Sequence, residues 1–369
     1  MKTTPQGYRV AVVGASSLLG KELLNVLREH RFPFCRLVTI SDDEDEPELP
    51  ILDLREGLKT SVLDENLTAS ELDFAFIAAR SRQTPSFLGG VQAPGQGRPA
   101  CLVIDLTAAA AGEEAAEPAL SLSRRVVRVP FLDRCFALKE MGEGSADPVY
   151  ISACPGTIVI SSLMLRLAAR FPLKSAVAHV FASASEIGSY GIEELQKQTV
   201  NLLSFQKIPR KVFGAQLAFN LLSRPGGTGG SELLALENRL RKQLKDYLQA
   251  RVPIPALRLF QVPVFHSLAV SLFVETGQPV APEKAGEALQ GERVQMRRRS
   301  QGSPTQVEVA GSDDILVDSV TADPDRPNGL WIWAVADNLR LGAVNAVEIA
   351  ESLLPRIGLE RSGEGRVAT

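Results

Sequence analysis

The feature that most constrains this chain is a glycine-bounded loop set between a buried strand and a helix. Arg9-Val-Ala-Val-Val13 reads as a short strand with no polar face. Gly14-Ala-Ser-Ser-Leu-Leu-Gly20 follows it and opens a helix over residues 20–27 that turns Leu23, Leu24 and Leu27 inward. In that context Gly14 permits a tight turn, Gly20 lets helix and strand pack closely, and the helix start offers free N–H groups to a phosphate. Gly14, Ser16, Ser17, Leu18, Leu19 and Gly20 therefore form a candidate nucleotide cradle. Ser17 stands where a Gly-x-x-Gly-x-x-Gly pattern has its middle glycine, so its side chain crowds a pyrophosphate while its hydroxyl can donate to one. A turn kept only for packing is the other reading of the same residues.

Further short apolar runs at residues 37–40, 74–79 and 101–105, separated by Gly- and Pro-rich stretches such as 89–99, continue a β-α-β order. The expected architecture is α/β, with an N-terminal Rossmann-type domain built on a parallel sheet. From about residue 150 the grammar changes. Helices are predicted over 157–170, 192–203 and 233–248. Strands are predicted over 176–184, 257–262, 268–275, 305–309, 315–320 and 330–336. Strands that follow one another without helices predict a mixed sheet, hence an α+β second domain. An amphipathic helix over 343–354 closes the chain. The expected division is 1–134 plus 338–369 for the dinucleotide-binding domain with its returning helix, and 135–337 for the second domain.

Composition excludes several classes. The 369 residues carry 40 Lys+Arg against 43 Asp+Glu, a formal charge of -3, which lacks the basic excess of a nucleic-acid binder. No apolar run reaches the roughly 18 residues of a membrane span. The start leads directly into a strand with no visible signal peptide, so Cys35, Cys101, Cys135 and Cys154 are expected as reduced thiols in a cytoplasm. His30, His179 and His266 lack ligand-type spacing, so no metal site is expected. Arg297-Arg298-Arg299 reads as a solvated loop or strand end.

The second predicted strand runs into Ser41-Asp42-Asp43-Glu44-Asp45-Glu46. An acidic residue here, with Asp42 the candidate, can accept from ribose hydroxyls, and the charge repels a 2′-phosphate. NAD is favoured over NADP on that ground, while a solvated acidic loop remains the alternative.

These residues, and several later stretches, resemble the aspartate-semialdehyde dehydrogenase family across nearly the whole chain. The loop 14–20 resembles the family's Gly-Ala-Thr-Gly-Ala-Val-Gly, and Val103-Ile-Asp-Leu-Thr-Ala108 its Val-Ile-Asp-Asn-Ser-Ser strand. Gly188-Ser-Tyr-Gly-Ile-Glu-Glu-Leu-Gln-Lys-Gln198 resembles its Gly-x-x-Gly-x-x-Glu-Leu-x-x-Gln helix. Ala218-Phe-Asn220, Val262-Pro-Val264, His266-Ser267 and Asp337-Asn-Leu-Arg-Leu-Gly-Ala-Val-Asn345 also match. The resemblance implies the fold, a homodimer through the second domain, a cofactor cleft, and cofactor contacts at Thr107, Gly188 and Asn338. It also implies NAD(P)-dependent interconversion of an acyl phosphate and an aldehyde through a cysteine thioester.

The family nucleophile lies in Asn-x-Asn-Cys-[Ser/Thr]-Thr at a helix start; here the segment is Ser152-Ala-Cys-Pro-Gly-Thr-Ile158. Aligned on Thr157-Ile158 the nucleophile position is Pro155; aligned on the thiol it is Cys154. Proline favours the first helical position, which would put Cys154 at the N-cap, where a thiolate is stabilised by the helix dipole. A small buried thiol is the alternative. His266 matches the family base and suits it, because imidazole exchanges protons near neutral pH. Other positions depart from the family. Its acyl-positioning glutamine falls on Ala182, its substrate arginine on Gln261 and its phosphate arginine on Ala111. Glu232 matches an acidic substrate contact. Neither alanine nor glutamine replaces a guanidinium clamp, so aspartyl phosphate is not the expected substrate. Two readings follow: an oxidoreductase working through Cys154 and His266 on a less anionic acyl group, or a non-catalytic dimeric paralogue acting as a binding or partner protein. The Usg-type paralogues are similar, with matching stretches at 198–203 and 218–222.

Overall fold

The computed structural model describes residues 7–40, 61–62, 72–79, 101–107, 126–136, 149–224, 226–249 and 251–363. The chain divides into two compact units, Met1–Ser152 with Gly342–Thr369, and Ala153–Leu341.

The first unit opens with β1 (Tyr8–Val13), α1 (Leu18–Glu29) and β2 (Phe34–Ile40), followed by β3 (Ser61–Val62), β4 (Phe74–Ile77) and β5 (Leu102–Asp105). Then come β6 (Val126–Arg128), α2 (Pro130–Cys135) and β7 (Val149–Ser152). The sheet order is β3-β2-β1-β4-β5-β7-β6, and every neighbouring pair is parallel. All four residues of β4 are buried, as a strand covered on both faces requires. This is the parallel Rossmann-type sheet expected from the β-α-β order. The expected boundary at 134 falls short of the observed one, because β7 inserts between β5 and β6 and carries the sheet on to Ser152.

The second unit begins with α3 (Pro155–Ala168), whose residues are buried almost all round from Gly156 to Leu165. There follow β8 (Leu173–Ala182), a short 3-10 turn (Ala184–Ile187), α4 (Ser189–Leu203), α5 (Gly227–Leu248), β9 (Ala256–Gln261) and β10 (Leu268–Thr276). α6 (Pro282–Leu289), β11 (Val294–Met296), β12 (Ile315–Val317), β13 (Thr321–Ala322) and β14 (Gly329–Ala336) complete it. The sheet runs β11-β12-β14-β10-β8-β9, with β13 on β14. β11–β12 and β8–β9 are parallel and the other pairs antiparallel, which gives the expected mixed sheet. One expected strand is absent. Residues 305–309 form a turn, because the Glu308 carboxylate takes both the N–H and the hydroxyl of Thr305. The same carboxylate pairs with Arg297 at 2.7 Å, so this arginine is not simply solvated.

The last helix, α7 (Asn338–Gly363), begins in the second unit and continues into the first. There Ala343, Val347 and Ala350 join Leu23, Leu27, Phe74 and Phe76 in one core. No described helix is long and apolar enough to cross a membrane.

Candidate nucleotide loop and thiol site

The nucleotide loop is built by close approach. Gly14 has φ +76°, and a Cβ on it would lie 2.7 Å from the Ala79 backbone nitrogen. A Cβ on Gly20 would overlap the Gly14 carbonyl oxygen and come within 2.8 Å of Ala15 Cα. Both positions therefore demand glycine, which is the geometry that brings a helix N-terminus over a strand end. Ser17 is the N-cap of α1. Its hydroxyl accepts from Gly20 N–H at 3.0 Å and donates to the Gly14 carbonyl at 2.7 Å. Ser17 thus replaces the missing glycine with a cap, and the first-turn N–H groups of Leu18 and Leu19 remain for a phosphate. Ser16, Leu18 and Leu19 are half-buried beside them. These residues fit a pyrophosphate at the helix start. At the end of β5, Asp105 Oδ1 takes the N–H and hydroxyl of Thr107, both at 2.8 Å, and fixes the turn there. Asp42 and Ala111 lie outside the described residues.

In the second unit Cys154 is the N-cap of α3, with Pro155 at the first helical position. The thiol residue is 4% exposed. Its backbone N–H donates to Gln243 Oε1 at 2.7 Å, and the Thr157 hydroxyl donates to the same oxygen at 3.1 Å. Gln243 belongs to α5, so the start of α3 is held from a second helix. Burial and the nearby Asp73 push the Cys101 thiol far up and keep it protonated.

His266 is exposed on the turn before β10. That turn is held by the 3-10 segment: Ala184 and Ser185 N–H donate to the carbonyls of Val264 and Phe265. Asn338 secures both. Its Oδ1 accepts from the Ser267 N–H at 2.9 Å and from the Ser185 hydroxyl at 3.1 Å, and its Nδ2 donates to Glu186 Oε1 at 3.0 Å. Gly188, φ +81°, starts α4 immediately beyond. Glu186 feels the Arg239 guanidinium of α5, and Arg239 stands four residues, about one helical turn, before Gln243. One face of α5 therefore links the Cys154 corner to the Glu186–Asn338 corner that carries His266.

Burial pushes the Glu186 carboxyl above the usual range, opposed by Arg239 and by the hydrogen bond from Asn338. A carboxyl raised on folding contributes fully below the ordinary value of 4.5, and that contribution is lost as pH rises through the folded value. Glu186→Gln, which fixes the neutral form, is expected to gain melting temperature over the parent as pH is raised from about 4.5 to 8. A pH-independent difference between the two would contradict this.

The two substrate candidates lie differently. Glu232 is exposed on α5. Gln261 is wholly buried, and its Nε2 donates to the Ala182 carbonyl at 2.9 Å, across the β8–β9 pairing. The position of the family arginine is thereby tied to the backbone at the position of the family glutamine. The motif acids have structural work as well. Asp337 Oδ1 takes the N–H groups of Leu339 and Arg340 and caps α7, while Arg340 pairs with Asp313 at 2.6 Å. Sequence reasoning passed over Glu186, Arg239 and Gln243. The available signal was Gln243 at helical spacing from the buried Leu236, Leu240 and Tyr247, a polar group on an apolar stripe. Among the described residues no cluster of His, Cys, Asp or Glu can hold a metal ion.

Two family models match the chain: "Semialdehyde dehydrogenase, NAD binding domain" over residues 9–131, and "Semialdehyde dehydrogenase, dimerisation domain" over 165–341. The aspartate-semialdehyde dehydrogenase of Rickettsia bellii is 29% identical over 359 residues, covering 94% of this chain and 98% of that protein. A USG-1 protein homolog of Pseudomonas aeruginosa is 27% identical over 360 residues, covering 95% and 98%. Among solved structures, a probable aspartate-semialdehyde dehydrogenase from Pseudomonas aeruginosa superposes with a TM-score of 0.75 at 26% identity, covering 95% of this chain and 99% of that one. The chain therefore belongs to the semialdehyde dehydrogenase family, with aspartate-semialdehyde dehydrogenases and USG-1 homologs among its relatives.

Proposed function

We propose that the protein is an NAD(P)-dependent oxidoreductase in which Cys154 is the nucleophile for an aldehyde or acyl group that lacks the two anionic ends of aspartyl phosphate. The observation that carries this reading is the seat of Cys154: N-cap of a 14-residue helix, with Pro155 setting the first turn and Gln243 fixing the backbone. A thiolate there meets the positive end of the helix and its orphan N–H groups. His266, on the turn that Asn338 holds, is the proton acceptor and donor for the thiol and the departing group. The loop Gly14 to Gly20 is the pyrophosphate seat of this reading, and the family resemblance adds Thr107, Gly188 and Asn338 as cofactor contacts. When bound, the nicotinamide supplies or accepts the hydride. The acidic run at 41–46, with Asp42 first, supports NAD over NADP. Gln261 and Ala111 support a neutral substrate, since both stand where the family has a guanidinium. The dimerisation domain supports a homodimer through the second unit.

Incubating the protein with a panel of uncharged aliphatic aldehydes, phosphate, and NAD or NADP tests the reading by nucleotide reduction. The expected result is turnover with at least one aldehyde, NAD preferred, and a loss of roughly 10³-fold or more in Cys154→Ser. Absence of turnover, together with a thiol that alkylates no faster than a free cysteine and gains no protection from nucleotide, would overturn it. The second reading, a dimeric binding paralogue, is favoured by one observation: the backbone-tied seat of Gln261.

A further inference from the structure

The orientation of the Gln243 amide is fixed by its neighbours. The Cys154 N–H and the Thr157 hydroxyl both donate to one end, so that end is the oxygen and the other is the Nε2 donor. Nε2 is buried and makes no hydrogen bond among the described residues, in a side chain whose residue is only 4% exposed. Leaving such a donor unpaired costs stability. It is left unpaired beside Cys154, the N-cap of α3. The family's acyl-positioning glutamine is absent from β8, where Ala182 stands, yet α5 brings a glutamine amide against the backbone of Cys154.

We propose that Gln243 Nε2 donates a hydrogen bond to the carbonyl oxygen of an acyl group under attack by Cys154, and so stabilises the tetrahedral oxyanion. The proposal rests on Cys154 being the nucleophile. With p-nitrophenyl acetate as a probe, the Cys154 thiolate forms a C–S bond to the carbonyl carbon and the carbonyl π pair moves onto oxygen. Collapse of that adduct breaks the C–O bond to the aryl group. The products are the S-acetyl enzyme and p-nitrophenolate, with no change of oxidation state. Iodoacetamide modifies the same sulfur by displacement at a saturated carbon and develops no oxyanion, so it reports on the thiolate alone.

The test compares the two limiting rates on the high-pH plateau, where the thiol is ionised in every variant. Gln243→Glu keeps the acceptor for Cys154 and Thr157 and removes the donor. It is expected to slow p-nitrophenolate release about a hundredfold while changing alkylation by less than about threefold. Gln243→Met, close in volume but lacking both polar ends, gives a second measurement of the same ratio should the glutamate variant fold poorly, and the ratio is expected to fall likewise. Equal losses in both rates, or an unchanged ratio in both variants, overturns the role of Gln243 and leaves the nucleophile reading standing. A wild-type Cys154 that neither reagent modifies faster than the unfolded chain overturns the nucleophile reading, and this proposal with it.

Discussion

Replacing Gln198 with alanine is expected to destabilise the second unit by about 3–5 kcal/mol, from loss of hydrogen-bond partners for four backbone groups at once. Gln198 sits wholly buried on α4. Its Oε1 accepts from the N–H groups of Leu217 and Ala218 at 2.7 and 3.1 Å, and its Nε2 donates to the carbonyls of Pro209 and Ala215 at 2.8 and 3.0 Å. One turn earlier, Glu194 takes the N–H groups of Val212 and Phe213. The loop between α4 and α5 has no ladder of its own, so these two side chains stand in for one. Truncating Gln198 strands two buried donors that no water replaces without opening the loop. The expected signature is a fall in melting temperature of roughly 10 °C, with loss of exchange protection at Leu217 and Ala218. A Gln198→Ala variant that melts within about 2 °C of the parent would refute this account.

Gly20→Val is expected to abolish nucleotide binding and to lower the stability of the first unit by about 3 kcal/mol or more. The clash is with backbone on both sides, the Gly14 carbonyl and Ala15 Cα, so no side-chain rotation relieves it. Either α1 moves away from β1, exposing part of the core around Leu23 and Leu27, or the Gly14 turn opens and its cradle of N–H groups is lost. Calorimetric titration of NAD against the variant, with melting followed in parallel, checks both effects. Ser17→Gly is the informative companion. It restores the family's middle glycine but deletes the cap to Gly20 N–H, and so sets closer approach of a pyrophosphate against a few tenths of a kcal/mol of helix stability. Retained nucleotide affinity in Gly20→Val would remove the loop from the cofactor site.

The Gln198 cluster also accounts for what made the chain look Usg-like. The stretches 198–203 and 218–222 are separate in sequence, yet Gln198 Oε1 binds the Ala218 N–H, so they are two sides of one contact. A motif search finds both without showing that either depends on the other. The same holds for Asp337-Asn338-Leu339-Arg340. Its residues cap a helix, clamp two turns and pair with Asp313, and only Asn338 lies where a cofactor contact is proposed.

What the sequence by itself determined is local in origin. The strand, the tight glycine turn and the capped helix of residues 9–29 are set by neighbours a few positions apart, as are the parallel character of the first sheet and the N-cap place of Cys154 before Pro155. Tertiary structure alone decided the rest, because the deciding partners are far apart along the chain. β7 enters between β5 and β6, which no periodicity signals. Gln243 reaches Cys154 across 89 positions, and Asn338 reaches Ser185 across 153. Residues 305–309 alternate like a strand but curl around Glu308, because its carboxylate takes the Thr305 N–H and is itself held by Arg297. Buried polar groups must find partners wherever the fold brings them. In this protein those long-range pairings, rather than the motifs, set a glutamine amide against the Cys154 backbone.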